Sequence, residues 1–284
     1  MYPYNLIKGI QFNLYDFFLC LGIIVCLISF DRLADKYPLR YKLQNFVFIT
    51  AAAAIILGLG SAVLFQAFYN FGETGEFVID AGTGATFYGG LIGGAASFIA
   101  VYFIAGRFVF PDKYHVRSFF SVANCAVPSI LVAHGFGRLG CLMAGCCHGA
   151  QTDAWYGLFM HTEAYGYAKC VPTQLYEALF LFALFVYTVI RVKKKRSYNL
   201  PLYMAAYGAW RFFIEYFRTD DRGELLTDIF SPSQIIACLM IAGGVALFFF
   251  QRYYESRHRS EILADREEIL SRRAKKEEEN AIEE

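Results

Sequence analysis

Residues 171–196 have the sequence VPTQLYEALFLFALFVYTVIRVKKKR, an apolar run that ends directly in a cluster of Arg and Lys. An apolar run of about 20 residues is the length that a helix needs to cross a bilayer. Arg and Lys accumulate in the loops that face the cytoplasm. The stretch therefore predicts a transmembrane helix whose C-terminal end lies in the cytoplasm.

The rest of the chain repeats this pattern. The protein has 284 residues, 57% of them hydrophobic, and its mean hydropathy is +0.38. That composition excludes an ordinary soluble domain and is typical of a polytopic membrane protein. Apolar segments of spanning length lie near residues 12–30, 45–69, 86–106, 119–136, 172–190, 200–217 and 232–250.

The loops between these segments alternate in charge, which predicts their orientation. Cations are concentrated in every second loop, as with Arg32, Lys36, Arg40 and Lys42, and then with Arg107, Lys113 and Arg117. The positive-inside rule then places the N-terminus outside and the C-terminus in the cytoplasm. We predict an all-α polytopic membrane protein with seven transmembrane helices.

The chain changes character after the last apolar segment. Residues 251–284 carry mixed charge and good helix formers, ending in an acidic stretch. We predict one membrane domain at residues 1–250, followed by a charged cytoplasmic tail helix at 251–284. No catalytic role is expected for the tail.

The sixth segment carries charges that a bilayer should not tolerate. Arg211 and Glu215 are four residues apart, with Tyr207 one turn earlier and Arg218 one turn later, so a helix would place them on one face. An arginine at the centre of a membrane helix costs at least about 2.5 kcal/mol. The face could be a self-neutralising ion pair. It could also bind an anion, because a guanidinium group grips phosphate oxygens with two parallel hydrogen bonds.

Two other segments begin with polar groups. Gln174 and Glu177 are three residues apart on one face of the fifth segment, while Tyr176 points elsewhere. Tyr88 precedes the third segment, where overlapping pairs of glycines at i and i+4 favour close packing against another helix. These residues join the candidate site, with Glu177 either orienting an arginine or acting in catalysis.

Residues 137–149, GRLGCLMAGCCHG, permit three interpretations. Cys141, Cys146, Cys147 and His148 are possible zinc ligands, but the spacing lacks the usual close cysteine pair and a distant second pair. A disulfide is possible on the oxidising side of the membrane. We favour the third interpretation, in which glycines frame Arg138 as a clamp for a phospholipid headgroup. No metal and no cofactor are expected.

Four motifs now occur in order on the predicted spans: YGGLIGG, GRLGCLMAGC, PTQLYEA and YGAWRFFIEYFR. Together they resemble the prolipoprotein diacylglyceryl transferases of bacteria across nearly the whole membrane region. The resemblance implies an enzyme that moves a diacylglyceryl group from phosphatidylglycerol to the lipobox cysteine of a prolipoprotein. The product is a thioether, and glycerol phosphate leaves.

The resemblance also implies residue roles. Arg138 and Arg211 match the family's motif arginines and would act on the phosphate, and Tyr88 would assist removal of the thiol proton. The remaining candidates would bind substrate: Tyr15, Gln174, Tyr176, Glu177, Tyr207, Glu215 and Arg218.

This chain departs from the family pattern close to the chemistry. Tyr88 stands where the family usually has histidine, and a tyrosine with a pKa of about 10 is a poor base at neutral pH. Cys141 and Cys146 replace an asparagine and an acidic residue of the family's pattern. Headgroup binding is therefore expected to be retained more completely than thiol activation.

The expected setting is a multi-pass protein of the bacterial plasma membrane, with phosphatidylglycerol, prolipoprotein signal peptides and membrane lipids as partners and no nucleic acid. Two alternatives remain. One is a non-catalytic phospholipid-binding or transport protein of the same fold, and the other is a divergent transferase with another acceptor. A redox or metal protein built on the cysteines is a third hypothesis.

Overall fold

The computed structural model describes residues 3–7, 10–75, 77–80, 83–84, 86–162, 165–218 and 231–283, without the side chains of 3–7, 10–12, 73, 87, 88, 276, 277 and 281–283. The helices are α1 (Leu14–Lys36), α2 (Tyr41–Thr74), α3 (Phe87–Val109), α4 (Tyr114–Arg117), α5 (Phe119–Ala144), α6 (Thr173–Lys193), α7 (Asn199–Ile214), α8 (Pro232–Arg257) and α9 (Arg259–Glu283). Two antiparallel hairpins pair β1 (Pro3–Ile7) with β2 (Ile10–Asn13) and β3 (Leu158–Thr162) with β4 (Gly166–Cys170).

The chain is a mostly helical polytopic membrane protein. A helix occupies each of the seven predicted apolar segments. Six helices in the described residues are long and apolar enough to cross a bilayer: α1, α2, α3, α5, α6 and α8. Helix α7 has only 16 residues, about 24 Å of length at the usual helical rise. It ends in a 3-10 turn at Glu215–Phe217.

Met1–Tyr37 and Phe120–Arg259 form one compact unit, which contains α1, α5, α6, α7 and α8. Its apolar core joins α5, α6 and α7 through Val127, Leu131, Leu181, Leu184 and Tyr207. This unit carries every candidate site residue except Tyr88.

Pro38–Phe119 and Ser260–Glu284 form the second compact unit. Within it, α2 packs closely on α3. Ser61 Oγ donates to the carbonyl oxygen of Gly89 at 2.9 Å, and a Cβ atom added at Gly89 would come within 2.6 Å of the Phe65 Cβ. The glycines of α3 thus serve the close helix packing that the sequence indicates.

Helix α9 packs against the start of α2 and the α3–α4 segment of the same unit. Asp265 accepts hydrogen bonds from Arg117 Nε at 2.7 Å and from Arg40 Nη2 at 3.4 Å. Ile269 on the same helix is 5% exposed. The described part of the charged tail is therefore held by a buried apolar contact and by ion pairs.

Candidate functional site

Glu177 lies at the centre of a buried ionic cluster formed by three helices. Its side chain on α6 has no exposed surface. Glu177 Oε2 lies 3.1 Å from Arg138 Nε on α5 and 4.0 Å from Arg211 Nη1 on α7. Glu177 Oε1 accepts a hydrogen bond of 2.7 Å from the Tyr207 hydroxyl. Four of the residues expected to act together are thus brought into contact.

Local sequence explains how α5 and α6 approach so closely. A Cβ atom at Gly135 would lie 2.7 Å from the Phe182 ring, so only a glycine fits there without displacement of the ring. Arg138 follows Gly135 by three residues and therefore projects from nearly the same face. The glycine thus allows Arg138 to reach Glu177.

Arg211 also contacts Glu215, which follows α7, and Ser233 at the start of α8. Its Nη2 lies 3.1 Å from Glu215 Oε2 and donates to Ser233 Oγ at 3.1 Å. Ser231 Oγ in turn donates to Glu215 Oε1 at 3.1 Å. The predicted Arg211–Glu215 pair therefore exists, and the start of α8 supports both of its members.

Neither serine was predicted from the sequence as part of the site. They belong to SPSQ at residues 231–234, where Ser231 and Gln234 form a reciprocal capping box at the start of α8. Ser-x-x-Gln before an apolar run is a known helix-start signal. That signal identifies the helix start, but it does not reveal that Ser233 would contact Arg211.

The charges of the cluster balance, because Glu177 joins Glu215 opposite the two arginines. These four groups therefore carry no net charge. Hydrogen-bonding capacity nevertheless remains, since Arg138 Nε and Arg211 Nη1 are buried and have no aligned acceptor among the described residues. Each guanidinium carries five N–H donors, so the pair can bind the oxygens of an anion.

Arg218 does not continue the face of Arg211. Helix α7 ends at Ile214, and Arg218 follows the 3-10 turn in extended conformation. Its backbone forms an isolated bridge with Gly149, and its positive charge acts on the thiol of Cys147. Arg218 thus belongs to the cysteine segment.

Three thiols gather at the C-terminal end of α5. The Sγ atoms of Cys141, Cys146 and Cys147 lie within 4.8 Å of one another, and all eight cysteines of the chain are free thiols. Hydrogen bonds from Cys141 and Cys146, with the charge of Arg218, hold the pKa of the Cys147 thiol below its ordinary value. The adjacent His148 ring lies apart from this set, with Nδ1 2.9 Å from the Gly149 carbonyl oxygen.

The other expected binding residues surround these two clusters. Gln174 Nε2 donates to the Cys146 carbonyl oxygen at 2.6 Å, and a Cβ atom at Gly140 would lie 3.2 Å from the Tyr15 ring. Tyr176 is directed elsewhere, as expected, and its hydroxyl donates to the Tyr156 carbonyl oxygen at 2.6 Å.

His134 is a further polar residue that the sequence analysis missed. It lies on α5 one turn before Arg138, and its Nε2 is 4.0 Å from Glu177 Oε1. Its ring meets the Tyr207 ring edge to face, with centroids 5.0 Å apart. The i, i+4 spacing of His134 and Arg138 was the available signal.

Tyr88 is the one expected catalytic residue that the structure does not place. Its backbone lies in the first turn of α3, but its side chain is outside the described residues. Tyr88 also belongs to the second compact unit, whereas Arg138 and Arg211 belong to the first.

Comparison with known proteins gives a consistent picture. Residues 4–250 match the sequence profile of the family described as prolipoprotein diacylglyceryl transferase. A protein of Clostridium perfringens named phosphatidylglycerol–prolipoprotein diacylglyceryl transferase 2 is 31% identical over 247 residues, which cover 85% of this chain and 92% of the relative. A phosphatidylglycerol–prolipoprotein diacylglyceryl transferase of Clostridium tetani is 31% identical over 252 residues, covering 86% and 95%. One of Dehalococcoides mccartyi is 27% identical and covers 84% and 88%.

Proposed function

The chain belongs to the prolipoprotein diacylglyceryl transferase family, and we propose that it transfers a diacylglyceryl group from phosphatidylglycerol to the lipobox cysteine of prolipoproteins. The observation that carries the proposal is the arrangement of Arg138 and Arg211 on either side of Glu177. Two guanidinium groups from different helices, with hydrogen-bond donors to spare, suit a phosphodiester in a membrane-embedded site.

The arginines act on the leaving group. The acceptor sulfur attacks the glyceryl carbon that bears the phosphate ester, a carbon–sulfur bond forms, and the carbon–oxygen bond breaks. The electron pair of that bond stays with the oxygen of the departing glycerol phosphate. Arg138 and Arg211 stabilise the charge that develops there, which is the usual way in which preoriented donors lower a barrier.

Neighbouring residues hold the arginines in place. Glu177 orients both, Tyr207 fixes one oxygen of Glu177, and Glu215 fixes Arg211 from the far side. Because these contacts already fix the two guanidinium groups, the arginines lose little side-chain freedom when the phosphate binds. Glu177 is thus a positioning residue.

The groups at the cysteine end of α5 contribute to substrate binding. Tyr15, Gln174 and Arg218 border the three thiols, one turn from Arg138, and Tyr176 lies on the neighbouring face of α6. Tyr88 remains the residue proposed to assist loss of the thiol proton. An unassisted phenol would be a weak base at neutral pH.

The membrane arrangement completes the proposal. Helix α7, in the sixth apolar segment, is the shortest of seven spans, the N-terminus lies outside, and the C-terminus lies in the cytoplasm of a bacterial cell. The basic loops support this orientation. Residues 1–250 form the catalytic membrane domain, and 251–284 form a cytoplasmic tail. Prolipoprotein signal peptides and phosphatidylglycerol then reach the arginines from the membrane.

A mass measurement separates transfer from mere lipid binding. The purified protein in detergent is incubated with phosphatidylglycerol and a lipobox peptide, and peptide masses are recorded. We expect a diacylglyceryl adduct on the cysteine peptide, none on a serine peptide, and none with Arg138→Ala. Binding of phosphatidylglycerol without any adduct would instead support a non-catalytic lipid-binding protein. An adduct on other thiols only would support a divergent acceptor.

A further inference from the structure

The three thiols at the C-terminal end of α5 form a compact set of soft ligands that the transfer step described above does not use. Cys141 lies in the last turn of α5, and Cys146 and Cys147 lie in the loop that follows. Their Sγ atoms are within 4.8 Å of one another. Sulfur atoms bound to one zinc ion at about 2.3 Å lie roughly 4 Å apart. Small side-chain rotations would therefore bring all three sulfurs to one metal ion.

The backbone conformation of the loop after α5 keeps the thiols close together. Gly145 adopts φ +73°, where a side chain would collide with the His161 carbonyl, and Cys147 adopts the left-handed φ of 61°. Non-glycine residues in this region cost about 1 kcal/mol or more and are concentrated at functional sites. The Cys146 and Cys147 carbonyl oxygens accept hydrogen bonds from Gln174 and Thr173, at 2.6 and 2.8 Å.

The charge around the thiols suits a divalent cation. Three thiolates and one divalent ion carry a net charge of −1. Arg218, whose backbone pairs with Gly149 two residues after Cys147, supplies the compensating positive charge. A complex of this charge is therefore neutralised locally, as a partly buried site requires.

We infer that Cys141, Cys146 and Cys147 bind one thiophilic divalent metal ion of the zinc class and leave its fourth coordination position open to the thiol of the acceptor cysteine. The role of the fourth position rests on the function proposed above. Structural zinc sites have four protein ligands, whereas reactive ones have three and an open position. Three thiolates thus match the reactive type.

The metal ion would deprotonate the acceptor thiol, which a weak base such as tyrosine does poorly at neutral pH. A thiol that coordinates such an ion is deprotonated outright, and its proton passes to water. The bound sulfur then forms the carbon–sulfur bond while the carbon–oxygen bond to phosphate breaks. The thioether product is neutral and binds the ion weakly, so it leaves. The overall change is phosphatidylglycerol plus thiol to thioether, glycerol phosphate and one proton.

The three thiols lie close to the buried ionic cluster along both α5 and α6. Cys141 follows Arg138 by three residues on α5, and Gln174, which holds the loop, precedes Glu177 by three residues on α6. Three residues correspond to a rise of about 4.5 Å. A sulfur at the metal and a phosphate at the arginines can therefore belong to two neighbouring reactants.

Metal binding is tested first, without any transfer assay. The full chain in detergent is reduced, freed of metal with a chelator, and dialysed against Zn²⁺ or Cd²⁺. We expect one ion per chain and, with Cd²⁺, ultraviolet thiolate-to-metal absorption. Cys141→Ser, Cys146→Ser and Cys147→Ser should each weaken binding at least about tenfold. Cys238→Ser, on the exposed surface of α8, is the matched control and should bind as wild type does.

Two results would overturn the metal site. One is binding well below one ion per chain, or binding that persists unchanged in the three cluster variants. The other is a disulfide within the cluster in freshly isolated protein, shown by fewer than the eight titratable thiols of the sequence.

The open position is tested with a lipobox peptide. The peptide should raise the Cd²⁺–thiolate absorption by about a third, because four thiolates replace three, and a Cys→Ser peptide should not. No rise would overturn the acceptor role. If metal and peptide bind but no adduct forms, the metal site stands and the proposed function fails. If adduct forms equally fast after metal removal, the function stands and the role of the metal is overturned.

Discussion

Glu177 Oε2 lies 3.1 Å from Arg138 Nε inside a cluster that also includes Arg211, and the Glu177 side chain has no exposed surface. A buried charge of this kind is tolerated only because its partners neutralise it. The carboxylate on α6 therefore links α5 and α7 and holds the two guanidinium groups that are proposed to bind the phosphate. Stability and activity should depend on it together.

Glu177→Gln should destabilise the protein by about 3 kcal/mol, because two buried guanidinium groups then share a single remaining carboxylate. The measurement is thermal unfolding in a neutral detergent. An anionic phospholipid should raise the melting temperature of this variant more than that of wild type, since it restores negative charge. Glu279→Gln, on the exposed part of α9, is the control and should change nothing. An unchanged melting temperature for Glu177→Gln would contradict the cluster.

Arg138→Lys should lower the initial transfer rate by about 100-fold or more. Lysine keeps the charge but loses the planar pair of N–H donors. The readout is the rate of adduct formation at saturating phosphatidylglycerol. Arg252→Lys, exposed on α8, serves as the matched control. A rate within about threefold of wild type for Arg138→Lys would show that two-pronged phosphate binding is not needed.

Tyr207→Phe removes the hydroxyl that donates to Glu177 at 2.7 Å. Hydrogen bonds to charged groups contribute about 1.5–3 kcal/mol. We therefore expect a loss of that order in the free energy of unfolding, and a moderate fall in kcat with little change in KM. Tyr203→Phe is the comparison, because the Tyr203 ring stacks on the Tyr207 ring at 5.8 Å. Equal effects of the two changes would mean that the loss of any hydroxyl in this region, and not the hydrogen bond to Glu177, causes them.

Asp265→Ala should destabilise the second unit without affecting catalysis. Asp265 forms an ion pair with Arg117 at 2.7 Å, and its side chain is only 14% exposed. Its loss leaves Arg117 without its closest carboxylate and removes one of the three carboxylates around Arg40, so a cost of about 2 kcal/mol is expected. Glu261→Ala is the matched control, because Glu261 is 58% exposed and lies 3.8 Å from Arg117. If Asp265→Ala lowered kcat without lowering stability, the expectation that the tail has no catalytic role would be wrong.

Hydropathy predicted the helices well and the irregular parts poorly. Each of the seven predicted apolar segments falls on a helix, because long apolar runs leave few alternatives in a membrane. The hairpin of Leu158–Thr162 and Gly166–Cys170 was not predicted. Its strands are short and only partly buried, so they lack the alternation that indicates a strand. The end of α7 at Ile214 was not predicted, because Tyr216 and Phe217 continue the apolar segment beyond it.

The site was predicted as a set of residues, but its arrangement was not. Arg138, Arg211 and Glu177 stood out because charges are costly in a membrane. No spacing along the chain shows that Glu177 lies between the other two. The cysteine spacing argued against a metal site, yet the left-handed turns at Gly145 and Cys147 fold the loop back over the end of α5. Such turns are not visible in a cysteine pattern.

Complementation of a bacterium depleted of its own transferase shows whether this chain lipidates prolipoproteins in a membrane. The measured quantity is the fraction of a reporter prolipoprotein that carries diacylglyceryl, determined by mass. We expect the wild-type chain to restore this fraction and Arg138→Ala, present at the same level in the membrane, not to restore it. No lipidated reporter with wild-type protein in the membrane, or equal lipidation with Arg138→Ala, would contradict the proposed function.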